Sequence, residues 1–346
     1  MKSPFTGGEV KLMHEKRELV YRKEKFMYLA HYYVCLDTQE QFTTTELDML
    51  NINQVYNQYR VKYGIPFPDE ISSVRTFYGL SASKMSEILG LGANQYRLYE
   101  NGEMPSEAIG KLLKSILNPN TFVEFVKNAE NQFITSDYAK IIEKTERSVK
   151  RMEEDKNHSM IFGTAVRAVT NGYAPQSYGR LRNIILFFLD KCGGVFNTKM
   201  NKLLFYTDFL SYKIRGIGMS GLSYKAIQYG PVPQQWDIVY GAVDGVYSEI
   251  VAFPSGYSGI KLCSEIQPDM SGFTEEELEI LDSVLKRFKN ATSNDLSEVS
   301  HMEDAWIKYN GTNKLIDYSE AFSLRALPSS SGAGKLPSCG SEQKQD

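Results

Sequence analysis

Four residues in the C-terminal half, Asp208, Asp237, His301 and Glu303, are of the types that serve as general acid and base. Nothing near them completes an active site. The chain has no nucleophile motif, no glycine loop of the kind that cradles phosphate and no close pair of metal ligands. His301 follows Ser300 near the expected start of a helix, where capping or a buried hydrogen bond is the commoner role. The C-terminal half is therefore read as catalytically inert, and the chain as no enzyme. A different chemistry is written between Leu80 and Gly102, LSASKMSEILGLGANQYRLYENG. The Asn94 amide can bond bidentately to adenine N6 and N7. Arg97 and Gln95 suit a guanine or a phosphate, and Lys84 suits the phosphate backbone. Ser81, the expected cap of the preceding helix, completes this DNA-facing set.

Those side chains need two short helices to hold them. Ser81 can cap one carrying Met85, Ile88 and Leu89 on a single face, and Gly90-Leu91-Gly92 breaks it. A second helix is predicted from Ala93 to Asn101, burying Tyr96 and Tyr99 and turning Asn94, Gln95 and Arg97 outward. This is the pattern of a helix-turn-helix, whose second helix enters a DNA major groove. Flanking helices are predicted over 71–78, after Pro105-Ser106 and over 121–129, giving a compact five-helix unit. Upstream, two strands around Lys11–Arg22 and Lys25–Cys35 precede a helix that Thr43–Thr45 start and Gly64-Ile65-Pro66 ends.

Length and composition set the outer limits. The chain has 346 residues, 42% hydrophobic and 23% charged, ordinary for globular proteins of two or three domains. A formal charge of −3 excludes a basic nucleic-acid coat, so DNA contact must come from a local patch. No apolar run approaches the roughly 20 residues that span a bilayer, so no membrane partner is expected, and MKSPFTGGEV has no apolar signal core. The cytosol is the expected compartment. Cys35, Cys192, Cys263 and Cys339 are too scattered for a disulfide framework.

Residues 69–130 resemble the Xre/Cro class of helix-turn-helix, and together with the N-terminal module they resemble the MqsA-type antitoxins. That resemblance implies a small zinc-binding domain with two Cys-x-x-Cys pairs, followed by a helix-turn-helix that represses its own operon as a homodimer. It also implies an Asn and an Arg four residues apart as base readers. Asn94 matches the first; Leu98 stands at the second, with Arg97 beside it. The family's cysteine pairs line up with Ser3 and Thr6, and with Cys35 and Thr38, so three of four thiolates are replaced by hydroxyls. Neutral hydroxyls bind zinc too weakly to hold a fold. No metal and no cofactor are expected. Packing of Tyr21, Phe26, Tyr28 and Tyr32 must hold the module instead, a metal site rescued by His14 and His31 being the lesser alternative.

A second resemblance covers residues 175–322. Lys202, Leu203, Asp208, Tyr229, Gly230, Pro231, Val232, His301 and Trp306 match the signature of the Panacea, or SocA-like, domain, with its aromatic pair reversed as Phe205-Tyr206. Such domains neutralise diverse protein toxins by binding them, and the founding member delivers its toxin to a protease. The resemblance implies a cognate toxin and operator DNA as partners. Tyr229, Pro231, Trp236 and Tyr240 are the candidate toxin contacts, with core packing the competing role for Trp236 and Tyr240. Gly230-Pro231-Val232-Pro233 is expected as a rigid corner.

The expected fold class is mainly α with a small N-terminal β-hairpin module. Its parts are a hairpin module with connecting helix (1–63), the helix-turn-helix (64–131), a charged linker helix (132–174), a largely helical Panacea domain (175–326) and a disordered tail (327–346). The expected function is an antitoxin that also represses its operon. The alternatives are a transcriptional regulator with a sensing C-terminal half and a protease adaptor.

Overall fold

A computed structural model of the chain describes residues 1–129, 138–144, 160–162, 166–253, 256 and 258–327. Most of the expected charged linker and nearly all of the expected tail lie outside them. The chain is mainly helical, with a small N-terminal antiparallel sheet. Strands β1 (Val10–Tyr21) and β2 (Glu24–Cys35) form a long hairpin, and β3 (Gln41–Phe42) adds two residues to the end of β2. The hairpin turns through Arg22 and Lys23, both at positive φ, as a tight two-residue turn requires. The Arg22 guanidinium offsets that strain by donating to the carbonyls of Met104 (2.8 Å) and Pro105 (2.6 Å), which ties the hairpin tip to the helical unit.

Helix α1 (Thr45–Tyr63) starts where Thr44 accepts from the Leu47 N–H and stops at Gly64 in the left-handed region. It satisfies the free edge of β2 with three amides in a row. Asn51 accepts from the His31 N–H (2.8 Å) and donates to its carbonyl (2.9 Å). Gln54 does the same at Leu29 (3.1 and 3.0 Å), and Gln58 donates to the Met27 carbonyl (2.9 Å). Steps of two residues along the strand meet steps of three and four along the helix, because both advance by about 5–7 Å. Behind this ladder lies a small core of Phe26, Val55, Tyr59, Ile65 and Met104, flanked by Tyr21 and Tyr28.

Five helices follow: α2 (Pro68–Tyr78), α3 (Ala82–Ile88), α4 (Gln95–Glu100), α5 (Glu107–Ser115) and α6 (Pro119–Asn128). Their shared core holds Ile71, Met85, Tyr96, Leu113, Phe122 and Val126, and Ile141 joins it from a further helical stretch at 138–144. Arg60 of α1 donates to the carbonyls of Pro66 and Gly102, a second tie between hairpin module and helical unit.

The C-terminal half is built around α8 (Asn197–Arg215), buried at every residue from Lys199 to Tyr212. Helices α7 (Tyr178–Cys192), α9 (Glu275–Phe288), α10 (Ser293–His301) and α11 (Asp304–Ile307) accompany it. A three-stranded sheet has the order β4 (Val195–Phe196), β8 (Ser258–Cys263), β7 (Tyr247–Ala252), with β7 and β8 paired antiparallel. The expected rigid corner at Gly230–Pro233 is instead strand β6, antiparallel to β5 (Tyr224–Ile227). The prolines are accommodated because β6 has only one partner strand, so an edge residue without an N–H leaves no ladder bond unmade. No described helix is long and apolar enough to cross a membrane.

Candidate nucleic-acid and partner-binding surfaces

Helices α3 and α4, the expected helix-turn-helix pair, are held together by Ser86. Its hydroxyl, buried in α3, accepts from the Tyr96 N–H at 3.1 Å, while the Tyr96 hydroxyl donates to the Ile71 carbonyl at 2.7 Å. Both bonds pin α4 against α2 and α3. The helix begins at Gln95 rather than Ala93, because Gly92 and Ala93 remain in the turn, with the Gln95 N–H bonded to the Gly92 carbonyl. Asn94 therefore stands at the tip of α4, exposed, and its side chain makes no capping bond there. Arg97 is exposed beside it, and Gln95 is half-buried. Ser81 caps α3 by accepting from the Lys84 N–H. Lys84 sits half-buried with its ammonium 2.8 Å from Glu87, and Arg75 is paired with Glu100.

In the N-terminal module the four positions that line up with zinc ligands do converge. Cys35 is fully buried, and hydroxyls of Ser3, Thr38 and Thr6 surround its sulfur, the last at 3.5 Å. Their hydrogen bonds hold the Cys35 thiol down to about 6. Ser3 also accepts from the N–H groups of Phe5 and Thr6, and Thr6 donates to Asp37. One thiol among three neutral hydroxyls does not fit a structural zinc ion. His31 lies four residues from Cys35 along an extended strand, about 13 Å away. Its ring instead stands 4.5 Å from Phe322 and 5.9 Å from His14. Among the described residues no three His, Cys, Asp or Glu side chains are grouped as a metal site.

The acid–base candidates of the C-terminal half have separate structural duties. Asp208 is fully buried and accepts from the N–H groups of Met219 and Ser220 (both 2.7 Å), the Ser220 hydroxyl and the Tyr224 hydroxyl (2.6 Å). Burial nevertheless raises its carboxyl above the ordinary value. Glu303, also raised by burial, accepts from the N–H groups of Arg325 and Ala326. Asp237 is exposed. His301 closes α10 rather than opening a helix, and its ring stacks on Trp306 at 4.0 Å.

The four candidate toxin contacts divide. Tyr229 is 63% exposed at the turn between β5 and β6, and Trp236 is 45% exposed. Pro231 is buried in β6, and Tyr240 is core, its hydroxyl donating to Asn201 at 2.6 Å. Sequence reasoning missed Met302 and Ile307, both more than half exposed next to His301 and Trp306. Single apolar residues on short helices leave no periodic signal. It also missed a cleft of about 650 Å³ between the N-terminal hairpin, α1 and the C-terminal half, lined by His14, Tyr28, Gln54, Tyr212, Asp317 and Phe322 among others.

No curated protein and no solved structure matched the chain. Residues 200–307, from α8 through α11, match the family model described as antitoxin SocA-like, Panacea domain.

Proposed function

We propose that the chain is an antitoxin that neutralises a cognate protein toxin by direct binding and represses its own operon through its helix-turn-helix. The match of residues 200–307 to an antitoxin domain carries this reading. Neutralisation needs no chemistry in the chain. It works by occlusion, over an interface of standard size, about 1,600 Å² in total. Tyr229 and Trp236 are exposed aromatics of the matched segment, as are Tyr247 and Phe253, and aromatics anchor interfaces. The chain acts in the cytosol, as a homodimer on a palindrome whose half-sites lie about one helical turn apart.

The test is to induce each neighbouring reading frame in cells with and without this chain. One neighbour is expected to arrest growth, and co-expression to restore it. If no neighbour is toxic, the antitoxin reading is lost. The 650 Å³ cleft favours one second reading, a transcriptional regulator that senses a small ligand. In that case occupancy of the cleft alters operator affinity while no neighbour is toxic.

A further inference from the structure

Helix α8 buries six polar or charged residues, and four of them are fully accounted for. The Lys199 ammonium donates to the carbonyls of Lys289 (2.7 Å) and Ala291 (2.8 Å). Asn201 accepts from Tyr240, Asp208 holds the 219–224 segment, and Ser211 donates to the Ile217 carbonyl. Thr207 keeps a hydroxyl without a partner among the described residues. Lys202 is the exception that matters. It is 0% exposed, and its ammonium has no hydrogen-bond partner among the described residues. A buried cation with three unused donors is among the least tolerable groups a fold can hold.

A second orphan lies beside it. The Nε2 atom of His301 is buried without a partner among the described residues, while the ring bonds to the Gln228 backbone through its other side. Lys202 is near enough to disfavour the imidazolium, and Glu298 is the one carboxylate acting on that ring. The roof is the β5–β6 turn. At Gly230, with φ at +100°, a Cβ would lie 2.4 Å from the Ser300 hydroxyl and 3.1 Å from the Lys202 nitrogen. Gln228 and Tyr229, immediately before it, are exposed. The Trp306 indole pins this turn by donating to the Ile227 carbonyl at 2.7 Å. Two unsatisfied nitrogens therefore sit one turn's thickness beneath the surface. Tyr229, Met302 and Ile307, each more than half exposed, neighbour that turn, His301 and Trp306 in the chain.

We infer that Lys202 and His301 form a receptor for a carboxylate carried by a bound polypeptide, an aspartate or glutamate side chain of the partner. This rests on the reading that the C-terminal half grips another protein. One carboxylate oxygen accepts from the Lys202 ammonium and the other from His301 Nε2–H once the ring takes up a proton. The exposed apolar side chains supply the dry surround that strengthens such a charge-assisted pair. Charge complementarity selects the occupant, since the Lys202 ammonium has no hydrogen-bonded counter-ion among the described residues.

Trp306 reports on the site through its stacked histidine. In the full chain carrying Trp236→Phe, its emission is followed at constant ionic strength. The probes are acetyl-Ala-Asp-Ala-amide, the matching Asn peptide, acetate and inorganic phosphate. The Asp peptide is expected to give a saturable change, with the Asn peptide at least tenfold weaker and acetate and phosphate weaker than the Asp peptide. Lys202→Met and His301→Phe are each expected to remove the preference for Asp. His301→Phe keeps the ring stack, so it decides the matter if Lys202→Met fails to fold. Equal response to Asp and Asn peptides, or an unchanged preference in a folded variant, overturns the inference. Acetate or phosphate binding as tightly as the Asp peptide assigns the site to a free anion and overturns the polypeptide source. Growth rescue by co-expression is independent of all these results, so the two readings fail separately.

Discussion

At the residue scale, Asn94 and Ser86 divide a labour that one residue commonly performs. A helix start needs an acceptor for its first free N–H groups, and Asn is well suited to supply it. Here the Ser86 hydroxyl from the neighbouring helix takes the Tyr96 N–H. The Asn94 amide is left for solvent or a base edge. If it reads adenine in the major groove, Asn94→Ala costs about 1–3 kcal/mol on the specific operator and little on random DNA. Competition binding at one fixed salt concentration measures both. Equal loss on the two DNAs would show that Asn94 meets phosphate only.

At the element scale, a ladder of amides holds the N-terminal module together with its aromatic core. The amides of Asn51, Gln54 and Gln58 complete the β2 edge that two-residue β3 leaves open. Replacing Asn51 or Gln54 by an apolar isostere strands both a donor and an acceptor of the strand, and each costs about 1–3 kcal/mol when left unmade. Gln54→Leu is therefore expected to destabilise the chain by about 2–4 kcal/mol. Urea unfolding should show a lower midpoint at an unchanged slope. A loss below about 0.5 kcal/mol would mean that water replaces the ladder without cost.

At the scale of the whole molecule, the hairpin module touches both other parts. Arg22 and Arg60 bond carbonyls of the helical unit, and Asn57 donates to the Gly216 carbonyl at the end of α8. His31 closes the contact with the C-terminal half against Phe322. Burial pushes the His31 imidazole down to about 4, with His14 and Lys213 adding to the effect and a hydrogen bond to Asn51 opposing it. The unfolded chain titrates near 6.5, so it binds a proton there that the folded chain refuses until about pH 4. Stability therefore falls as pH drops from about 6.5 to 4, by up to about 3 kcal/mol. His31→Gln is expected to flatten that acid limb of the urea midpoint against pH. An unaltered limb would place the acid sensitivity elsewhere.

Much of this architecture is local chemistry and was legible from the residues. Thr44, Ser81, Ser106 and Asn118 each cap the helix that follows, and Gly64 and Gly90 take the left-handed conformation that ends or breaks one. Hydrophobic spacing likewise set the inward faces of Tyr96 and Tyr99. These features depend on neighbours within about four positions, which is all that periodicity and capping sense. Partnership across the chain was not legible. That Pro231 and Tyr240 lie inside while Tyr229 and Trp236 face out, and that Gly230–Pro233 pairs as a strand, depends on segments far away in sequence. The same holds for the buried amine of Lys202, which no spacing rule distinguishes from the well-bonded Lys199 one turn earlier. Local sequence determined where helices and turns begin, whereas only the tertiary packing decided which polar groups found partners and which were left waiting for one.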